Sequence, residues 1–441
     1  MKKLLSVCLI LVLCLGLFAG CGGSGTTTDK TADDTADTAA DTAADTASDA
    51  AEADEGEDAG AEDGETGSTG ADYSSVKVGF IFLHDENSTY DLNFMNAAKE
   101  TCEKLGVGYV MRTNIPEGQE CYDAAAELAD AGCNIVFADS FGHEDYMIEA
   151  AKDFPEVEFC HATGTKAHTE GLANYHNAFA SIYEGRYLAG VAAGMKLNEK
   201  IENGEFTAEE AKIGYVGAFT YAEVISGYTS FFLGARSVCP SATMEVTFTG
   251  SWYDETAEKE GANTLINNGC KLISQHADSM GAPTACESAG VPNVSYNGST
   301  VAACPNTFIV SSRINWSPYY EMIINAVANG ESIPADWTGS IDTGSVVLTE
   351  VNGQAAAEGT DAAIEEVKGE LLAGSRHVFD ISTFTVEGEE LTSYMADVDT
   401  DAAYEGDTEV ISGGYFHESE YRSAPYFDLQ IDGINLLDTA F

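Results

Sequence analysis

Val76-Lys77-Val78-Gly79-Phe80-Ile81-Phe82 is an apolar run that gives way to the polar loop Asp85-Glu86-Asn87-Ser88-Thr89-Tyr90-Asp91. A short run of this kind, bounded by turn residues, reads as a strand buried on both faces. The stretch 91–105 reads as a helix, and the alternation then repeats. Strands fall at 109–113, 134–138 and 158–161, and helices at 121–131 and 144–153. Strands separated by helices run parallel, because each crossover lays its helix on a face of the sheet. Residues 76–161 are therefore one doubly wound half.

Outward from that stretch the pattern continues. Helices are predicted over 182–197, 223–238, 255–267, 283–290 and 318–329, with strands over 212–218, 245–249, 272–276, 294–296 and 308–312. The fold class is α/β, with two doubly wound three-layer lobes and a cleft between them, and sheets of this kind bind ligands beyond the carboxyl ends of their strands. Past residue 346 the reading thins. Residues 362–372 look helical, 377–384 alternate like a strand or hairpin, and 393–437 are aromatic and acidic without a clear period. That tail is expected to wrap one lobe.

The first residues read as an export signal. Lys2 and Lys3 precede an apolar stretch over 4–18, and Leu17-Phe18-Ala19-Gly20-Cys21 sets small residues before a cysteine. This resembles a bacterial lipobox, with 1–20 removed and Cys21 lipidated; an ordinary signal peptide is the alternative. Residues 21–75 then read as an acidic linker, with sixteen acids against Lys30 over 22–75 and no aromatic before Tyr73. Such a tract cannot bury a core and extends by self-repulsion; weak metal binding is its other reading.

The net charge of −53 sets nucleic acid and anionic membrane surfaces aside as partners. Eight cysteines (Cys102, Cys121, Cys133, Cys160, Cys239, Cys270, Cys286 and Cys304) follow the anchor with no paired spacing. That argues against a zinc site, and it leaves disulfides and buried thiols equally open. No metal and no cofactor is expected.

Candidate ligand residues are the ones that follow strands. Asp139, Ser140 and Phe141 follow 134–138, Phe219 and Glu223 follow 212–218, and Trp252 follows 245–249. Asp278 follows 272–276, Asn297 follows 294–296, and Asn315 with Trp316 follows 308–312. Aromatic faces beside carboxylates and amides suit a flat polar ligand such as a nucleoside. Helix capping competes for Ser88, Thr89 and Asp254, and core packing for Phe219, Trp252 and Trp316. An unpaired buried carboxylate is costly, which favours a ligand role for Asp278. Hydrolase, phosphate-loop and dinucleotide motifs are absent from the sequence. His161 and His276 read as structural, and Arg186 and Arg236 as ion pairs.

Taken in order, several motifs resemble one family. They are Ala138-Asp139-Ser140-Phe141-Gly142, His161-Ala162-Thr163-Gly164, Tyr183-Glu184-Gly185-Arg186-Tyr187-Leu188-Ala189-Gly190 and Lys212-Ile213-Gly214-Tyr215-Val216. Leu233-Gly234-Ala235-Arg236, Gln275-His276-Ala277-Asp278-Ser279 and Asn315-Trp316 continue the series. Together they resemble the basic membrane lipoprotein or purine-nucleoside receptor family of ABC-importer binding proteins. The resemblance implies a type I periplasmic-binding fold with three hinge crossings. It implies a first lobe of 76–172 with 308–335, a second of 173–307 with 336–350, and a C-terminal extension over 351–441 packing on the lobes.

It also implies a purine nucleoside or nucleobase as ligand, met by Thr89, Tyr90, Asn93, Asp139, Ser140 and Phe141 in one lobe and Phe219 and Glu223 in the other. Asn297 stands where many members hold ribose with an aspartate, Asn315 where some have lysine, and Ser88 where relatives often stack an aromatic on the base. The implied setting is an extracytoplasmic monomer, anchored through Cys21, that delivers solute to permease subunits without enzymatic chemistry. A sensor feeding a membrane kinase and an exported nucleoside hydrolase are the alternatives.

Overall fold

The computed structural model describes residues 72–398 and 406–439. The signal segment 1–20, Cys21 and nearly all of the acidic linker lie outside the described residues.

The first sheet is built from β1 (Lys77–Ile81), β2 (Gly108–Arg112), β3 (Ile135–Ala138), β4 (Glu158–Ala162) and β5 (Tyr175–Ala180). Between them run α1 (Thr89–Leu105), α2 (Gln119–Asp130), α3 (Glu144–Asp153) and the short α4 (Ala167–Glu170). Local chemistry sets the ends of α1. The Ser88 hydroxyl accepts from the Asp91 amide at its start, and Gly106, at φ 70°, caps its end in the left-handed region.

The chain then crosses into α5 (Ile182–Glu202), followed by β6 (Lys212–Gly217), α6 (Ala222–Val238), β7 (Thr243–Phe248) and α7 (Glu255–Asn267). β8 (Leu272–His276), α8 (Gly281–Ala289), β9 (Asn293–Tyr296) and β10 (Phe308–Ile314) complete this run. It recrosses as α9 (Ser317–Asn329) and β11 (Asp336–Gly339), and returns as β12 (Val346–Leu348) and α10 (Thr360–Leu372).

The first sheet has the order β11-β5-β4-β3-β1-β2, all parallel. The second begins β12-β10-β9-β8-β6-β7, and only β12 runs antiparallel. Most strand positions in both sheets are buried, as continuous apolar runs require.

Strand membership corrects the expected lobe boundaries. β5 belongs to the first sheet, so the first crossing falls at 180–182 and not at 172–173. β10, expected in the first lobe, pairs with β9 in the second, and β11, expected in the second, pairs with β5 in the first. Tyr320 of α9 packs edge-on against Phe80 and Phe137, which keeps that helix in the first lobe. The other crossings are thus 314–317 and 339–346. An apolar strand is pulled equally by either sheet, so its sequence does not announce which one it joins.

The tail also differs from expectation. Residues 377–384 form a 3-10 turn over Ile381–Thr383 with one bridge to Tyr415, not a strand. Beyond them lie the two-residue strands β13 (Met395–Ala396), β14 (Thr408–Glu409), β15 (Ile411–Ser412) and β16 (Tyr415–Phe416). β17 (Ile434–Leu436) then adds a parallel edge strand to β7. The tail engages both lobes instead of one, since its backbone also bonds the side chains of Asp336 and Thr338 in β11.

All eight cysteines after residue 100 are buried free thiols. Burial pushes Cys102, Cys160 and Cys270 up to about 12, which keeps them protonated and unreactive. Arg186 and Arg236 form no ion pairs among the described residues. Arg186 is held by neutral acceptors and Arg236 lies over the Phe232 ring.

Candidate functional site

Both sheets point the carboxyl ends of their strands at one cleft between the lobes, closed down to about 20 Å³ in this arrangement. The first lobe contributes Leu83, His84, Tyr90, Ser140, Phe141 and Thr163. The second contributes Glu223, Trp252, His276, Asp278 and Tyr296. The lobes are shut on one another. The Thr89 amide and hydroxyl both donate to the Asp278 carbonyl, at 3.1 and 3.2 Å. The rings of Phe141 and Tyr221 meet at 5.5 Å, and those of His84 and Tyr253 at 5.4 Å.

The cavity is acidic. Burial first, and the charge of Asp278's neighbour Asp91 second, push the Asp278 carboxyl well above the usual carboxylate range. The same two causes raise Asp139, whose Oδ1 accepts from the Leu83 amide at 3.1 Å. Asp91 goes the other way. Burial opposes its ionisation, but hydrogen bonds from the His84 ring at 3.2 Å and the Ser88 hydroxyl at 2.6 Å outweigh it. Burial and like charge thus disfavour ionisation of Asp139 and Asp278, while hydrogen bonds favour it at Asp91. A protonated carboxyl donates and accepts at once, which suits a ligand edge carrying both kinds of group.

Two histidines are kept neutral by burial. His276 lies 3.3 Å from Glu223 through Nε2, and His161 bonds the Ser140 carbonyl at 2.7 Å. Backbone strain marks the same place, because Thr163 has φ 65° and Asn297 has φ 64°. A β-branched residue rarely occupies that region, and such strain concentrates at binding sites.

Among the expected site residues, Tyr90, Ser140, Phe141, Glu223, Trp252 and Asp278 line the cavity. Asp139 is buried behind it and accepts the Tyr90 hydroxyl on its carbonyl at 2.7 Å. Asn297 holds the Asp278 carboxyl at 3.4 Å, and Phe219 stacks at 5.0 Å on Tyr221 and meets Trp252 edge-on at 5.2 Å. Thr89 is spent on joining the lobes.

Three residues fall elsewhere. Asn93 bonds the Ile314 carbonyl at 2.5 Å, Asn315 bonds the Gly344 carbonyl at 3.1 Å, and both therefore fasten hinge crossings. Trp316 is buried in the first-lobe core, stacked on Phe94 at 4.4 Å. Leu83, His84, Thr163 and Tyr296 line the cavity without having been singled out, and His276 does so despite its structural reading. Each lies at or just past a strand's carboxyl end, the one signal that marked them. Among the described residues no group of His, Cys, Asp and Glu is placed to hold a metal, and no helix is long and apolar enough to cross a membrane.

Comparison with known proteins fits this geometry. The family described as ABC transporter substrate-binding protein PnrA-like matches residues 81–374. A purine-binding protein of Brucella abortus is 34% identical over 260 residues, 58% of this chain and 69% of that protein. A Haloferax volcanii protein, provisionally named an ABC transporter glucose-binding protein, is 30% identical over 335 residues, 75% of this chain and 78% of its own. A solute-binding protein of an ABC transporter system from Aeropyrum pernix shares the fold at TM-score 0.58 and 15% identity, covering 68% of this chain and 92% of that one. The chain belongs to the PnrA-like family of ABC transporter substrate-binding proteins, extracytoplasmic solute binders and not enzymes.

Proposed function

We propose that the closed cavity captures a purine, as nucleoside or free base, and that the protein presents it as a monomer to the permease of an ABC importer. The observation that carries this reading is the set of rings around Asp278. Tyr90 and Phe141 from one lobe and Trp252 and Tyr296 from the other line the same cavity as the Asp278 carboxyl, whose ionisation burial disfavours. Rings bind a flat heterocycle by stacking, and a neutral carboxyl matches neighbouring ring nitrogens that donate and accept. The shut lobes leave room for about one water, so a solute enters only as they part. A monosaccharide is the second reading, favoured by the relative named for glucose and by the same pairing of aromatic and carboxyl groups.

Isothermal titration with guanosine, inosine, adenosine, adenine and glucose separates the two. One-to-one binding of a purine and silence with glucose is expected; the reverse would overturn the purine reading. Asp278→Ala should weaken that binding by roughly 10- to 100-fold, the effect of leaving polar ligand atoms unpaired in a buried site. Asp278→Asn, which still donates and accepts, should retain most of the affinity. Anchoring through Cys21 is part of the proposal, and Cys21→Ser should abolish palmitate labelling and release the chain from the membrane.

A further inference from the structure

Outside the closed cavity lies a second space of about 420 Å³, which shares Phe141, Thr163 and Glu223 with it. Tyr221 and Lys166 border this space from the two lobes, and its remaining wall is neither lobe. Arg422, Ala424 and Pro425 of the C-terminal tail form it. These residues come after the part of the chain that matches the family, which stops at residue 374. We propose that residues 418–426 are a third wall of the ligand cleft, a strap tied to both lobes that narrows the way in and slows release. The proposal rests on the cavity being the solute site, and it holds whichever solute that is.

Hydrogen bonds tie the strap on both sides. In the first lobe, Asp336 Oδ2 accepts from the Ser423 amide at 2.7 Å and the Thr338 hydroxyl donates to the Ser419 carbonyl at 3.3 Å. In the second, the Tyr183 hydroxyl donates to the Glu418 carbonyl at 3.1 Å, and the Tyr228 hydroxyl donates to Gln430 at 3.1 Å. A stack of Phe379 on Phe427 at 4.3 Å, with Tyr183 beside Phe379 at 5.4 Å, packs the tail's own core onto α5. β17 then fixes the far end to β7.

The strap itself is stiff. Arg422 is buried, and its guanidinium donates to the carbonyls of Ala424 at 3.1 Å and Pro425 at 3.0 Å. The Tyr426 amide donates back to the buried Glu418 carboxyl at 3.2 Å. A loop cross-linked in this way moves as one piece, and the tail that follows it is fixed to the second lobe through Gln430 and β17. Opening the cleft rotates the lobes about the crossings at 180–182, 314–317 and 339–346. The two bonds to β11 lie just before the last of these, so rotation pulls on them directly. While they hold, the closed arrangement is favoured over the open one.

The test uses the double variant Asp336→Ala/Thr338→Val, with Thr338→Val alone as the milder form. His168→Ala is the control, because Asp336 also lies 3.4 Å from His168. The first readout needs no ligand. Hydrogen exchange should rise in tail peptides around 418–426 and also in cleft peptides covering 83–90 and 276–280. The second is the dissociation rate of whichever solute the titrations identify, expected about tenfold faster in the double variant, since changes of this kind fall mainly on the off-rate. A tail that exchanges faster above an unchanged cleft would overturn the strap, as would a tail that does not loosen at all. If no tested purine binds, the exchange arm still decides the matter, so the purine reading can fail separately.

Discussion

Arg186→Ala is expected to cost about 3–5 kcal/mol of stability and to lower the melting temperature by on the order of 10 °C. Arg186 is fully buried, and it reaches from α5 into four adjacent strands. One guanidinium nitrogen donates to the Tyr215 hydroxyl of β6 at 2.7 Å, and to the Ser274 hydroxyl and Gln275 carbonyl of β8 at 3.0 and 3.2 Å. The other lies 3.4 Å from both the Ser295 carbonyl of β9 and the Ser312 hydroxyl of β10. The rings of Tyr215, Phe231 and Tyr296 face the guanidinium at 5.0–5.3 Å, so its charge is met by ring faces and dipoles and not by a carboxylate. Alanine would leave several buried acceptors unpaired around a cavity the size of the lost side chain. Lysine keeps the charge but has no fork, and it should recover less than half of the loss. Denaturant unfolding of both variants checks this; a loss below about 1 kcal/mol for alanine would show that the sheet does not depend on the arginine.

Arg186 also shows what a sequence conceals. A lone arginine on a helix invites the reading of an ion pair, because charge is visible in a sequence and a cage of hydroxyls and ring faces is not. The strands were legible for the opposite reason. Apolar runs such as 76–82 and 135–138 depend only on local burial, and both became strands. Which sheet each strand joined was not local, so β10 and β11 were assigned to the wrong lobes. β5, Tyr175-His176-Asn177-Ala178-Phe179-Ala180, carries a histidine and an asparagine that disguise a fully buried strand. Its polar atoms are satisfied by Glu158, the Pro334 carbonyl and the Ala167 amide, residues close only in the folded chain.

The site followed the same division. Residues just beyond strands, such as Phe141, Trp252 and Asp278, could be nominated because strand ends converge whatever the loops do. His84 could not, because its place depends on how Asp91 turns back from the first turn of α1 to hold it. Asn93, Asn315 and Trp316 sit near the right strands but face the hinge or the core. The tail was the least legible part, since its short strands and aromatic stacks take their order from the lobes beneath them.

The second large effect is expected from a single methyl group. A Cβ added to Gly234 would lie 2.0 Å from the Tyr187 carbonyl oxygen, and one added to Gly190 would lie 2.1 Å from the Phe231 carbonyl oxygen. Helices α5 and α6 therefore cross backbone to backbone, each glycine seated on the other helix. No side chain can rotate away to make room, so Gly234→Ala should cost about 3 kcal/mol, the upper part of the range for overpacking. Gly369, inside α10, has nothing within 4 Å of its added Cβ. Gly369→Ala should be neutral or stabilising by roughly 0.5–1 kcal/mol, because alanine is the better helix former. Gly190→Ala and Gly234→Ala touch the same crossing, so their costs should not add: once the helices are forced apart, the second methyl meets less resistance. The effect should reach the ligand as well. α6 carries Glu223 into the cavity from its first turn, and α5 carries Arg186 under the second sheet. Helices held farther apart would shift both, so Gly234→Ala should lose solute affinity along with stability while Gly369→Ala keeps both. Equal melting temperatures for the two variants would mean that the helices do not approach this closely and that the glycines serve no packing purpose.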